Sequence, residues 1–247
     1  MKRLFLLPVL ALAPCAPAPA SPAATSASPP PEGARADGLL ETLHRAAPAL
    51  DRNVLKMATQ AMACTLKRGD AMPMRRLSVI DYSRPSTQPR LWVFDLERPR
   101  LLFEEWVAHG RNTGENLATR FSNANGSYMS SLGAFLTQES YMGGNGYSLR
   151  LQGLEPGFND RARERAIVIH GAPYVSDALI RAQGRLGRSL GCPAVRTGVA
   201  RPLIDTIRGG SFVFAYYPDP HWLKQSRLLG ADCGGALAGG TAVAGGG

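Results

Sequence analysis

The chain has 247 residues, of which 45% are hydrophobic, 19% charged and 7% aromatic. That balance suits one domain-sized core with terminal extensions and excludes a wholly disordered, collagen-like or multi-span membrane protein. The formal net charge of +9 favours anionic partners, but the arginines are dispersed, without basic runs or alternation with aromatic residues, so no nucleic-acid partner is expected.

In chain order, Lys2 and Arg3 precede an apolar stretch from Leu4 to Ala13 that is too short to cross a bilayer alone and is followed by small residues and prolines. This is the pattern of a secretory signal peptide. Cleavage after Ala20 is expected, making residues 1–20 the signal and placing the mature chain in the periplasm or cell envelope. A membrane partner follows only if the segment is retained, and Pro14 before Cys15 argues against a lipoprotein signal. Residues 21–36 continue a Pro/Ala/Ser-rich run that cannot bury enough apolar surface to offset chain entropy, which predicts a disordered linker. Residues 37–69 form a helical lead-in: Leu39, Leu40 and Leu43, then Val54, Leu55, Ala58 and Met62, recur at helical spacing. Pro48 separates the two helices, Asp51 is the expected N-cap of the second, and Gly69 ends the pattern.

Strands are predicted over 77–81 and 91–96, the latter joined as a hairpin to 101–108 through a turn at Pro99. Further strands are expected over 132–137, 147–152, 166–169 and 211–217, with a helix over 202–208 ending at Gly209. The fold class is therefore mainly β with a few helices (α+β), in one domain over 70–229. The Gly/Ala-rich 230–247 is expected to be a disordered tail.

Loss of Cys15 with the signal leaves Cys64, Cys192 and Cys233, an odd number in an oxidising compartment, so at least one thiol is unpaired. Whether Cys64 and Cys233 join is open. No CxxC is present and His44, His109, His170 and His221 are scattered singly, so no metal site or cofactor is expected. The chemistry concentrates between His170 and Cys192. The apolar run 166–169 is suited to a buried strand and delivers His170 at its end, while Gly184, Gly187 and Gly191 lead to Cys192 at a turn stiffened by Pro193. A thiol with a pKa of about 8.5 is mostly protonated at neutral pH unless a neighbour lowers it, and His170 is the expected neighbour. Gly191 and Cys192 can supply backbone N–H donors to an oxyanion. His109 precedes Gly110 as His170 precedes Gly171, so from sequence either ring could be the base.

The segment resembles the L,D-transpeptidase (YkuD-like) family, whose signature is an upstream His followed by Ser or Thr, a variable residue usually His, then Gly and the nucleophilic Cys. Those positions read His170, then Ser189, Leu190, Gly191 and Cys192. Wider similarity to the murein L,D-transpeptidase catalytic domain is carried by AHGRNTG from Ala108, FSNANGSYMSSLGAF from Phe121, GYSLRLQGLEPGFND from Gly146, IVIHGAPYVS from Ile167 and GRLGRSLGCPAV from Gly184. The resemblance implies a mixed β-sheet sandwich preceded by two short helices, and an enzyme acting on peptidoglycan stem peptides. In that chemistry a Cys attacks the bond between the L-centre of the diamino acid and the terminal D-Ala, and an amine resolves the thioester as a 3-3 cross-link. By resemblance Cys192 is the nucleophile, His170 the base with a backbone carbonyl as its orienting partner, Gly191 an oxyanion donor and Ser189 the residue that shapes the turn. Leu190 stands where most relatives have His, for which His109 is a candidate replacement. Ala194 stands where the wider family often has Arg, and Arg188 is the candidate grip for a substrate carboxylate. Tyr128 and Tyr174, with Ser130 and Ser131, are candidate cleft residues. The alternatives are an L,D-carboxypeptidase or cross-link hydrolase using the same cysteine, and a non-catalytic wall-binding module.

Overall fold

The computed structural model describes residues 32–71, 74–230 and 233. The expected signal peptide lies outside them, as do most of the expected linker and tail. Helix α1 spans Glu32–Ala46 and so begins inside the segment read as linker. Helix α2, Arg52–Lys67, is capped as its sequence predicts: the Asp51 carboxylate accepts from the N–H groups of Asn53 at 2.7 Å and Val54 at 3.1 Å, meeting donors that the first turn cannot satisfy itself. Its apolar stripe, Val54, Leu55, Ala58, Ala61 and Met62, is buried against strands of the sheet. A Cys64–Cys233 disulfide ties α2 to the C-terminal segment and leaves Cys192 as the free thiol among the described residues.

Eight strands follow: β1 (Arg76–Asp81), β2 (Leu91–Asp95), β3 (Arg100–Glu105), β4 (Gly133–Gly143), β5 (Gly146–Gly153), β6 (Val168–Ala172), β7 (Ala194–Arg196) and β8 (Phe212–Tyr216). They form one mixed sheet in the order β3-β2-β1-β8-β4-β5-β6-β7, parallel at β1/β8 and β6/β7 and antiparallel elsewhere. Strand β2 is buried throughout and β8 over all but its last residue, which accounts for their reading as continuous apolar runs. Three helices complete the domain: α3 (Asp177–Gln183), α4 (Thr197–Ile207), which packs across β5, β6 and β7, and α5 (Pro220–Gln225).

The sheet curls until its two edges meet. Just past β3, Ala108 bridges Ala194 at the start of β7, and the Arg196 guanidinium on β7 binds the Glu105 carboxylate on β3 with Nε–Oε2 at 2.9 Å. Joining the edges removes exposed ladder groups that would otherwise template aggregation. It also brings the segment 108–111 against the turn 189–192, and this seam is where the candidate site lies.

Candidate active site

His170 sits inside β6, opposite Ala194 of β7, not at the strand end the sequence suggests, because β6 starts two residues later than the apolar run and continues to Ala172. Its ring is buried. Nδ1 lies 3.0 Å from the carbonyl of Gly171. A carbonyl can only accept, so Nδ1 carries the proton and Nε2 keeps its lone pair. Nε2 bonds to no described residue and is not sealed from solvent. Burial holds the His170 pKa below the ordinary imidazole value, so the ring is a neutral acceptor at neutral pH.

Cys192 is 9% exposed. Its sulfur accepts from the Val168 N–H at 3.4 Å and donates to the Ala166 carbonyl at 3.7 Å. Burial pushes the thiol pKa up, opposed by the Val168 N–H and by the charge of Arg165. The sequence leads one to expect a thiolate paired with imidazolium. The structure instead holds a neutral thiol turned onto the β6 backbone, with no hydrogen bond to His170, because desolvation disfavours both charged forms. Resting hydrogen bonds in catalytic sites are often unmade until substrate arrives.

The turn carrying Cys192 is stapled by Ser189. Its hydroxyl donates to the Cys192 carbonyl at 2.6 Å and accepts the Gly191 N–H at 3.0 Å. Of the two N–H groups expected to face an oxyanion, that of Gly191 is therefore occupied, and that of Cys192 has no partner among the described residues. Gly191 has φ +124°, and a Cβ there would lie 2.8 Å from the Met129 carbonyl oxygen. Only glycine allows both that backbone and that approach. Ser130 closes the arrangement from the other side, its hydroxyl accepting the Gly110 N–H at 3.1 Å and donating to the Gly191 carbonyl at 3.2 Å. Ser131 binds the Ser122 carbonyl, so both serines pack the loop.

His109 is 1% exposed and has no free ring nitrogen. Nδ1 accepts from Arg90 Nη2 at 2.7 Å, and Nε2 donates to the Gly114 carbonyl at 3.2 Å. Burial, then the Arg90 charge, hold its pKa down at about 3. In this arrangement it neither reaches a substrate nor takes the place of the histidine that Leu190 replaces. Its backbone carbonyl instead accepts the Ser189 N–H at 2.9 Å, so His109 anchors the cysteine turn. Leu190 is 58% exposed at the rim. Sequence reading missed Arg90, fully buried and fixed by the Val107 carbonyl at 2.8 Å and the Arg84 carbonyl at 2.9 Å. An arginine at a strand start looks like any surface arginine, and no local pattern marks it.

A depressed histidine pKa makes folding pH-dependent in one direction. Above pH 6.5 the His109 ring is neutral folded or unfolded; below it the unfolded chain takes up a proton that the folded ring refuses until about pH 3. Stability from this group is full above the unfolded pKa and falls as the pH drops, by about 1.4 kcal/mol per pH unit. Between pH 7 and pH 5 the wild-type protein should lose about 2 kcal/mol more than His109→Gln, read as the change in urea-unfolding free energy. Equal losses in the two proteins would contradict the assignment.

Of the other expected site residues, Arg188 places Nη1 on the carbonyls of Arg111 and Gly114, each at 3.0 Å, and on Glu115 Oε1 at 2.7 Å. Its remaining N–H groups bind no described residue. With Arg111, Arg120, Glu115 and Leu117 it lines an open depression of about 570 Å³ beside the turn. Arg196, the other basic residue near the cysteine, is committed to Glu105. Tyr128 is partly exposed beneath the Arg111 guanidinium, 4.1 Å from its ring centre. Tyr174 is half-buried, its pKa pushed up to about 12 chiefly by burial.

The model of the L,D-transpeptidase catalytic domain matches residues 46–216. The chain belongs to that family. The match begins within the end of α1 and takes in every strand, so family and fold coincide. No curated protein sequence matches the chain. Among solved structures, an L,D-transpeptidase from Mycobacterium smegmatis is similar at 13% identity over 58% of this chain and 59% of its own, with a TM-score of 0.36. An L,D-transpeptidase (Yku) from Stackebrandtia nassauensis is 14% identical over 75% of this chain and 92% of its own, also at 0.36. One from Mycobacterium tuberculosis H37Rv is 15% identical over 58% of each chain, at 0.33. The chain thus spans about three-fifths of the length of the first of these.

Proposed function

We propose that this chain is an exported, periplasmic peptidoglycan L,D-transpeptidase in which Cys192 is the nucleophile and His170 the base. The observation that carries the reading is the tautomer of His170: with Nδ1–H fixed on Gly171, the open Nε2 is available on the strand that also holds the Cys192 sulfur. Activation exchanges the thiol's Ala166 acceptor for that nitrogen. The sulfur attacks the carbonyl between the diamino acid and the terminal D-Ala, and the proton goes to His170. The oxyanion is met by the Cys192 N–H. Collapse breaks the amide, D-Ala leaves with the proton from His170, and a thioester remains. An amine from a neighbouring stem then gives its proton to His170 and displaces the sulfur, forming the 3-3 amide and restoring the thiol.

The depression lined by Arg111, Arg120 and Arg188 suits the carboxylates of a stem peptide, since guanidinium binds carboxylate through paired N–H groups. Arg188→Met should raise KM for a tetrapeptide-stem substrate about tenfold while leaving kcat within twofold, the sign of binding lost equally in ground and transition states. An unchanged KM would remove Arg188 from the substrate site. The function itself is tested by incubating the protein with purified tetrapeptide-stem muropeptides and resolving the products by mass. Dimers that have lost one D-Ala are expected. Tripeptide monomers alone would mean that water resolves the thioester, and no product would favour a binding protein.

A further inference from the structure

The turn before β6 carries three alternate arginines whose partners differ. Arg161 pairs with Glu164 at 2.7 Å and Arg163 with Glu139 at 3.3 Å. Arg165 pairs with no carboxylate among the described residues and spends its donors on one loop. Nη1 binds the Ser122 carbonyl at 2.8 Å and the Ser131 hydroxyl at 2.6 Å, and Nη2 binds the Ser127 hydroxyl at 3.1 Å and the Met129 carbonyl at 2.7 Å. Every acceptor is neutral, so the full positive charge persists. The base of this turn is rigid: buried Asn159 donates to the carbonyls of Leu132 at 2.8 Å and Ala134 at 2.9 Å, and buried Glu155 accepts the Trp222 indole N–H at 3.1 Å.

Both ends of the clamp touch the cysteine turn. Met129, held by Arg165, presents the carbonyl that lies against Gly191. Ala166, the next residue after Arg165, presents the carbonyl that accepts the Cys192 thiol. Among the described residues, the non-glycine residues with positive φ are Tyr128 at 54° and Ala166 at 53°, one in the clamped loop and one beside the clamping residue. Backbone held in that region is strained for a residue with a side chain and persists where the surroundings enforce it.

We propose that Arg165 is a positioning residue of this site: it fixes the loop 122–131 over the cysteine turn, and its unneutralised guanidinium favours the thiolate of Cys192. The inference rests on Cys192 being the nucleophile. The charged and titratable groups whose charge couples to the sulfur are Arg165 itself, Tyr82 and Tyr174, and His170 shares strand β6 with Val168, whose N–H the sulfur accepts. Arg165 is the permanently charged cation among them, whereas the tyrosines are neutral and His170 is uncharged near neutrality.

The test is the pH profile of Cys192 alkylation by iodoacetamide in the full-length protein, with the labelled residue identified by peptide mass. Arg165→Lys keeps the charge and loses the fork that spans the loop; Arg165→Met loses both. Comparing the two isolates the charge, because the clamp is lost in each. At pH 8, Arg165→Met should react about tenfold more slowly than Arg165→Lys, with its profile displaced to higher pH, as expected when a cation that favours the thiolate is removed. Arg161→Gln, which breaks an exposed pair, should match the wild type. Superimposable profiles for the Met and Lys variants would overturn the charge role, and plateau rates equal to wild type in both would overturn the clamp. If Arg165→Met does not fold, Arg165→Gln makes the same comparison. Failure of the nucleophile reading is seen separately, as wild-type Cys192 remaining unlabelled at every pH while the protein still forms cross-links.

Discussion

Cys192→Ala should lose 3-3 cross-linking entirely, a fall of at least three orders of magnitude, while its unfolding free energy changes by only about 1 kcal/mol, the cost of one buried small group. The two effects separate because the sulfur makes few structural bonds: it accepts one N–H at 3.4 Å and donates weakly at 3.7 Å. The turn around it is held by other groups, chiefly the Ser189 hydroxyl and the glycine at 191. His170→Gln should retain the fold and lower the rate by about two to four orders of magnitude, since an amide can occupy the site but cannot take up the thiol proton. Product formation by muropeptide mass analysis, alongside urea unfolding, checks both variants. Residual turnover in Cys192→Ala above about one-thousandth of wild type would move the nucleophile elsewhere.

The largest stability effect is expected away from the cysteine, at Arg90. This side chain is fully buried, has no carboxylate partner among the described residues, and holds the Val107 and Arg84 carbonyls and the His109 ring together. Burial pushes its pKa down to about 10, which leaves it charged at neutral pH. Arg90→Met fills much of the volume but strands those acceptors, at about 1–3 kcal/mol each. Relief from burying an unpaired charge offsets part of that. The net loss should be about 3 kcal/mol, seen as a lower urea midpoint with an unchanged slope. Released from Arg90, His109 should also titrate closer to its ordinary value, so the extra acid sensitivity assigned to it should shrink in the same variant. Stability equal to wild type would mean that the guanidinium is not what locks this corner.

The sequence reading and the structure agree where a local physical rule applies and part where the cause is tertiary. Asp51 is legible as a cap because its carboxylate needs only the next two or three N–H groups. The strands from β1 to β5 and β8 are legible from their apolar runs, and β4 extends beyond its predicted end because β5 continues beside it past Thr137. Strand β7 has three residues and no periodicity to read; it exists because β6 lies on one side and Ala108 on the other. Helices α3 and α5, of seven and six residues, are also too short to show a clear helical period. Helix α4 starts at Thr197, so Pro202 lies inside it rather than at its start. At the site, the motif from Ser189 to Cys192 and the carbonyl partner of His170 were legible. The engagement of His109 with Arg90 was not, because their distance in space depends on how the sheet edges close. Arg165 escaped for the same reason: its position in a basic turn gives no hint that its charge has no acid to meet.

The proposed chemistry depends on one sulfur, and the most direct measurement is the site of covalent modification by a carbapenem. The protein is incubated with the compound, its intact mass is recorded, and the adduct is located by peptide mapping in the wild type, Cys192→Ala and His170→Gln. A single adduct on Cys192 is predicted in the wild type, none in Cys192→Ala, and the same adduct formed at least a hundredfold more slowly in His170→Gln. An adduct on any other residue, or one that persists when Cys192 is gone, would contradict it.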